Sequence, residues 1–221
     1  MAIFGNKTAR RTALALAGLL LLLSVAIWLL QTDWARQAAF ARLRDGLRKQ
    51  NILVEGGRLD YNLAGLRASL SNVTLRAAQA PGLPPLATIG KAEIALNWAT
   101  LSTFSLDLNS ATIDGLKLHV VIAPDGTSNL PQPPTSTGIA SRPDWLIRQG
   151  LVRDASLLFE DRVHDVVASI APFNLQVIGS TSTHHHSLRL GTTSPARVVY
   201  QGRSLPVETL IFSGVLEKST L

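Results

Sequence analysis

Residues 91 to 122, KAEIALNWATLSTFSLDLNSATIDGLKLHVVI, decide the fold, because apolar and polar side chains alternate along most of this stretch. A period of two residues is typical of half-buried strands, which turn one face to an apolar interior and the other to water. Residues 99 to 103 and Asp114-Gly115 interrupt the alternation, and Pro124-Asp125-Gly126 follows it, so each of these reads as a turn. Strands joined by short turns predict antiparallel pairing.

The alternation begins near residue 51 and returns, more loosely, between residues 157 and 216. No long helical pattern separates the strands, which disfavours a parallel α/β fold. We therefore predict a mainly β fold, in which an extended, curled antiparallel sheet forms a groove that is unclosed at its C-terminal edge. The sequence stops soon after the strand at 207 to 216, and an uncapped edge invites pairing with another chain. Either a longer protein continues the sheet or something else covers this edge.

An apolar run at residues 12 to 30, TALALAGLLLLLSVAIWLL, carries no charge. At 1.5 Å per residue it spans about 28 Å, which matches the hydrocarbon core of a bilayer. We expect a retained transmembrane helix, because the run exceeds a signal-peptide core and no close cleavage site follows. The basic segment 1–11 predicts a cytoplasmic N-terminus, and hence a single-pass protein of the bacterial inner membrane with most of its chain in the periplasm. The residues expected at the membrane interface are Arg10, Arg11, Trp28 and Trp34.

Residues 31–50 show apolar side chains at three- and four-residue spacings and predict a short amphipathic juxtamembrane helix with an arginine-rich polar face. Its apolar side could pack on the following domain or lie on lipid head groups. After this helix we expect a first β unit at 51–130, a Pro-rich linker or loop at 131–143, and a second β unit at 144–221 that continues in a longer protein.

The charge distribution argues against nucleic-acid binding. The chain has a net charge of +6, and residues 1 to 50 supply all of it, with 8 Lys/Arg against 2 Asp/Glu. The remaining residues balance at 13 against 13, so the expected sheet has no net attraction for phosphate backbones. The sequence has no cysteine, which excludes disulfides, thiol nucleophiles and thiolate metal sites.

The alternating strands predict one apolar face that could line a groove for acyl chains. Its candidate lining residues are Ile94, Leu96, Trp98, Leu106, Leu108, Leu118, Val120 and Ile122. Lys117, His119, Val121 and Ala123 are expected on the opposite, wet face. The same apolar residues would serve equally well in an ordinary closed core, and the sequence leaves both readings open.

The remaining ionisable clusters predict no catalytic residue, no cofactor and no metal. The three consecutive histidines at 184 to 186 alternate faces in a strand and lack a partner carboxylate at ligand spacing. Glu160, Asp161, His164 and Asp165 suit a solvated hairpin tip between Phe159 and Val166 better than an acid–base site. Asn129, together with Asp125 and Gly126, belongs to a turn, and Ser204 lacks the context of a nucleophile elbow.

A family resemblance rests on three phrases of this sequence. Residues 69 to 75, SLSNVTL, precede a Pro/Gly loop; residues 91 to 101, KAEIALNWATL, follow it; and residues 106 to 131 run from LDLNSATIDGLKLHVV to NLP. Together with the basic N-terminus and the anchor, they resemble the N-terminal part of the AsmA-like superfamily, the family of AsmA and TamB. LVRDASLLFEDRVHDVVASIAPFNLQV, at 151 to 177, resembles that family's next unit.

This resemblance implies a periplasmic β-groove tethered to the inner membrane that takes part in phospholipid transport between envelope membranes or in outer-membrane biogenesis. Its partners would be membrane phospholipids and an outer-membrane or envelope assembly protein. The alternative is a non-enzymatic structural or adaptor protein whose open sheet edge docks an envelope partner by strand addition. A membrane-anchored hydrolase is the least favoured reading, since no motif supports it.

Overall fold

The computed structural model describes residues 32–97, 106–132, 145–179 and 185–217. One helix, α1 (Asp33–Arg48), opens this part of the chain, with the Thr32 side chain accepting a hydrogen bond from the Ala35 backbone N–H at its start. The helix predicted within 31–50 is therefore confirmed, and its position beside a membrane stays a prediction. Within the described residues, no helix has the length and apolar character needed to cross a membrane. The run at 12–30 lies outside the described residues.

Most of the rest of the described chain is strand, which confirms the mainly β fold. Eleven strands belong to one sheet. They are β1 (Ile52–Asn62), β2 (Arg67–Ala77), β3 (Ala87–Leu96), β4 (Leu106–Ile122), β5 (Trp145–Ile147), β6 (Gln149–Asp161), β7 (Val166–Gly179), β8 (His185–Thr192), β9 (Ala196–Tyr200), β10 (Arg203–Val207) and β11 (Ile211–Glu217).

The main path of the sheet runs β1-β2-β3-β4-β6-β7-β8-β11, and its first and last strands do not meet. β9 continues the sheet beside the first part of β7, and β10 pairs with β9. The expectation of purely antiparallel pairing is wrong for β4, which runs parallel to both β5 and β6. The chain leaves β4 through the turn at 123–130 and re-enters beside the start of the same strand, so the next strands run in the same direction. The two predicted β units are thus neighbours within one sheet.

The prediction of a chain-reversing turn at Asp114-Gly115 is also wrong, because β4 continues through these residues as one strand. Instead, Gly115 has a left-handed φ of 65° and bends the strand. Neighbouring strands have irregular residues at the same level of the register or, on β7, within two residues of it, and we call this set the kink row. Its members are Gly57, Asn72, Gly90, Gly115, Asp154 and Pro172.

Four members of the kink row besides Gly115 depart from ordinary strand backbone. Gly57, Asn72 and Asp154 have φ values of 90°, 54° and 51°, and Pro172 follows a cis peptide bond. Beyond Pro172, whose carbonyl accepts a hydrogen bond from the Thr193 N–H, the same line separates β8 from β9. The sheet is therefore divided across its strands into two half-sheets.

The far end of β4 is covered by its own turn. Val121 is fully buried and Ala123 is 8% exposed, so the prediction that both lie on a wet face is wrong. The cause is Asn129, itself 1% exposed, whose Oδ1 accepts from the Val121 N–H at 2.9 Å. Its Nδ2 donates to the carbonyls of His119 and Pro84 at 2.6 and 3.1 Å, which ties two loops to the strand.

Candidate functional site

The apolar side chains of the two half-sheets share one face because every long strand changes its alternation at the kink row. On β6, Arg153 and Asp154 are both exposed and Ala155 is fully buried. On β7, Ala171 and Pro172 are both exposed before the buried Phe173. Two consecutive outward side chains shift the period-two pattern by one residue, so apolar positions before and after the bend point to the same side.

The resulting apolar face carries almost no polar group. Register partners on it include Ile94 with Ala111, Leu118 with Leu157, Val120 with Phe159, Phe159 with Ala168, and Leu175 with Leu190. Among its described positions, the exceptions are Thr192 beside the bend and Asp161, His186 and Arg203 at strand ends.

Charged side chains occupy the opposite face. Arg153 pairs with Asp114 at 2.7 Å across β6 and β4, and Lys91 pairs with Glu93 at 2.7 Å along β3. Arg76 of β2 reaches Glu55 of β1 at 3.1 Å. These pairs are partly or largely exposed, so each contributes little to stability. What they do establish is that this face is the one in contact with water.

Burial along the apolar face shows which way the sheet bends. Several buried side chains of the apolar face flank the bend: Val73 is 1% exposed, Ala155 0%, Phe173 8% and Ala196 4%. Ala77 and Ala87, at the paired ends of β2 and β3, are 1% and 4% exposed on the same face. Farther along the strands, Ile94 is 38% exposed. Where a sheet bends, side chains on the concave side are shielded from solvent by both half-sheets, whereas side chains on the convex side are exposed. The burial beside the kink row is consistent with a sheet that bends toward its apolar face. We call this face, with the kink row across its middle, the apolar trough.

The predicted lining residues largely come together in this trough. Ile94, Leu96, Leu108, Leu118, Val120 and Ile122 all lie on the apolar face, and Leu96 and Leu108 are direct register partners. They are half-buried, apart from the more exposed Ile94. The backbone of Leu106 lies in β4 beside Trp145, and Trp98 lies outside the described residues.

Sequence reasoning missed the residues between Leu108 and Leu116. A register shift on β4 at Asn109 makes Ser110 the partner of Ala95, so Ala111 and Ile113 face the trough in place of Ser110 and Thr112. It also missed the lining supplied by β6 to β10, including Leu157, Phe159 and Val198. The signal that could have found them is the parity change of apolar residues around Gly115, Asp154 and Pro172.

Helix α1 lies against β1, the first strand of the sheet. The ring of Phe40 approaches Gly57, where an added Cβ would lie 3.0 Å from it. Arg36 pairs with Asp60 at 3.3 Å and lies over the Tyr61 ring, 6.0 Å from its centroid. Trp34, predicted at the membrane interface, is 79% exposed on this helix. The predictions for Arg10, Arg11 and Trp28 fall outside the described residues.

The acidic cluster lies at the turn between β6 and β7, as the sequence predicts. His119 Nε2 is 2.9 Å from Glu160 Oε1, and Arg162 Nη2 is 3.0 Å from Glu160 Oε2. Burial raises the pKa of Glu160, but the hydrogen bonds from Arg162 and His119 outweigh it and the pKa is lowered. The hydrogen bond from His164 likewise holds the pKa of Asp161 below its ordinary range.

No group of three or more His, Cys, Asp or Glu side chains in the described ranges is arranged to hold a metal ion. His119 and His164 each have a carboxylate partner, at 2.9 and 2.7 Å, and both pairs lie at the rim of the sheet, away from the trough floor. The arrangement that the fold builds is thus an extended apolar surface with charged groups at its margins. Comparison with protein-family models and with curated proteins finds no significant match to this chain.

Proposed function

We propose that this chain is a membrane-anchored lipid-binding module whose apolar trough holds acyl chains, as part of phospholipid transport between envelope membranes or of outer-membrane biogenesis. The observation that supports this most strongly is an apolar face that crosses the whole sheet, carries charge only at strand ends in its described positions, and is left half-buried. Soluble proteins rarely leave so large an apolar surface without an occupant.

The dimensions of the trough suit acyl chains. Eight strands in the main path, spaced about 4.8 Å apart, give a floor roughly 34 Å long. Each CH₂ transferred from water to such a surface contributes about 0.8 kcal/mol, and no directional contact is required. Head groups would remain at the rims, where Asp161 and Arg203 lie.

Placement of the trough at a membrane follows from the uncharged run at 12–30, which we propose spans the bacterial inner membrane and leaves the sheet in the periplasm. Helix α1 supports a membrane-proximal position, because Trp34 and Leu43 remain 79% and 41% exposed while Phe40 packs on the sheet. Exposed aromatic and aliphatic side chains of this kind suit the head-group region.

The second candidate function is a non-enzymatic adaptor, and one observation favours it. The last strand, β11, has no neighbour on its outer side among the described strands, and Ile211 and Val215 are 78% and 62% exposed. An envelope partner could add a strand there without using the trough.

A photo-crosslinking experiment separates the two functions. A benzophenone side chain at Val120 or Leu108, in the trough wall, should capture phospholipid in living cells. The matched control is Lys117, which is exposed on the opposite face of the same strand. Because side chains alternate, Lys117 and Val120 sample the two faces within one short segment.

Lipid recovered from Val120 and Leu108 but not from Lys117 supports the lipid-binding function. Equal labelling of both faces would mean that lipid contacts the surface without selection and would refute it. Absence of lipid at all three positions, together with crosslinks from Ser213 on β11 to a different envelope protein and not to a second copy of this chain, would favour the adaptor.

A further inference from the structure

Among the described strands, the two that end the main path of the sheet differ in their surroundings. β1 is accompanied by α1, whereas β11 presents apolar side chains on both faces: Ile211 and Val215 on one, and Phe212, 59% exposed, on the other. Natural edge strands are usually protected by lysine, proline or a bulge. β11 has no lysine, proline or bulge, and its one charge, Glu217, is at its end. This strand has the character of an interior strand.

The free backbone groups of β11 can be assigned from its pairing with β8. The Thr192 N–H donates to the Leu210 carbonyl at 3.1 Å, which makes this register pair a hydrogen-bonded one. Hydrogen-bonded pairs alternate along an antiparallel ladder, so Phe212 and Gly214 also bond to β8. The N–H and C=O groups of Ile211, Ser213 and Val215 therefore point away from the sheet.

The sequence of β11 is complementary to itself about Ser213. In an antiparallel pair centred there, Ile211 lies opposite Val215 of the second copy, which joins two exposed apolar side chains. Phe212 lies opposite Gly214, and within one copy the Phe212 ring already covers Gly214, since an added Cβ would be 3.2 Å from it. An aromatic ring across from a glycine fills the space that the glycine leaves.

Charge also permits this pairing, because Glu217 falls opposite Thr209 and no like charges meet within the strand. We propose that β11 pairs with β11 of a second copy of this chain, in an antiparallel register with Ser213 on the two-fold axis. The three outward-facing residues of each copy then exchange about six backbone hydrogen bonds. A two-fold axis perpendicular to the sheet keeps both apolar faces on the same side, so the two troughs join.

Cysteine crosslinking tests the register, since the natural chain has no cysteine. In the chain of 221 residues in detergent, oxidised Ser213→Cys should form a disulfide dimer, because paired Cα atoms lie about 5.5 Å apart. Ile211→Cys alone should not, since its copies are separated by about four residues, or roughly 13 Å. A mixture of Ile211→Cys and Val215→Cys chains should crosslink to each other.

Ser187→Cys is the matched control, because Ser187 is exposed on the same face of β8, one strand inside the edge. We expect disulfide yield from Ser213→Cys about tenfold above that of Ser187→Cys. A second variant, Ser213→Pro, removes only an outward N–H, which edge strands tolerate. Light scattering should then show a dimer for the wild type and a monomer for Ser213→Pro.

A monomeric wild type with no excess crosslinking at Ser213 would overturn the proposal and leave the edge to a different partner. Crosslinking of Ile211→Cys to itself at the level of Ser213→Cys would also overturn it, because the register would be wrong. The outcome is independent of whether lipid occupies the trough.

Discussion

Asp154 of β6 lies directly beside Gly115 of β4, and both have left-handed backbones, with φ values of 51° and 65°. The residues just before them, Arg153 and Asp114, form an ion pair at 2.7 Å on the outer side of the bend. The Asp154 N–H donates to the Asn174 side chain of the next strand at 3.1 Å. Matched conformations in these two strands let β4 and β6 bend together without losing their mutual register.

Gly115 is the position at which this bend is easiest to test. An added Cβ would have space, with its nearest neighbour the Gly90 Cα at 3.8 Å, so any cost comes from the backbone. Gly115→Val should lower the free energy of unfolding by about 2 kcal/mol, because β-branched residues resist positive φ. Gly115→Asn should cost less than about 1 kcal/mol, since Asn tolerates this region, as Asn72 does. Chemical unfolding measures both, and equal losses would contradict a left-handed Gly115.

The bend also shows where sequence reasoning reached its limit. The alternation correctly predicted most of the strands, and it correctly placed Leu118, Val120 and Ile122 on one apolar face of the sheet. It misread Asp114-Gly115 as a turn, because a glycine signals an unusual φ but not whether the chain reverses or continues. That choice is made by pairing with Gly90 and Asp154 in neighbouring strands, which are distant in sequence.

The register shift at Asn109 makes a second prediction about the trough wall. Ile113 should face the trough and Thr112 should face water, although simple alternation from Leu108 predicts the reverse. A cysteine at position 113 should be labelled by a lipid-soluble maleimide and one at 112 by a water-soluble maleimide. If the two reagents label the opposite positions, β4 alternates regularly through Asn109 and the register shift is absent.

Asn129 is expected to be more important for stability than its place in a turn suggests. Asn129→Ala would leave the Val121 N–H and the His119 carbonyl without their partner in a buried site, at a cost of about 3 kcal/mol. Asp125→Asn is the control, because it keeps an acceptor for the Thr127 N–H at an exposed turn and should change stability by less than about 0.5 kcal/mol. Thermal unfolding measures the stability of both variants. An Asn129→Ala variant as stable as the wild type would contradict a stabilising role for the Asn129 hydrogen bonds.

Neither the role of Asn129 nor the parallel pairing of β4 and β6 could be predicted from local pattern. Asn129 looks like any turn residue in PDGTSNLP, and its burial results from Pro84 and His119 lying on either side of it. Parallel pairing depends on where the chain returns after residue 132. Both features are set by contacts between segments far apart in sequence.

Acid should weaken the rim of the sheet at Glu160. Its pKa is lowered in the folded state, where the hydrogen bonds from Arg162 and His119 outweigh burial, so the unfolded chain binds more protons in the acidic range. This contribution is present above the unfolded pKa of about 4.3 and is lost as pH falls through the lower folded value. Unfolding at pH 6 and at pH 3 should show a smaller acid loss for Glu160→Gln than for the wild type. An identical acid loss would exclude Glu160 as a contributor.

The shape of the trough predicts that a buried charge will be tolerated at its wall and not at its floor. Val120 is half-buried in the wall, whereas Ala155 is fully buried at the floor, opposite Phe173. Val120→Asp should therefore lower the free energy of unfolding by about 1 kcal/mol, since water can reach the carboxylate from the open side. The same change should abolish lipid capture by the benzophenone at Leu108. Ala155→Asp should cost several kcal/mol, because an unpaired carboxylate at the floor has no access to water or to a partner. Denaturant titration of both variants measures the difference. If Val120→Asp unfolds the chain as severely as Ala155→Asp, the apolar face is a closed core, and the lipid-binding function would lose its structural basis.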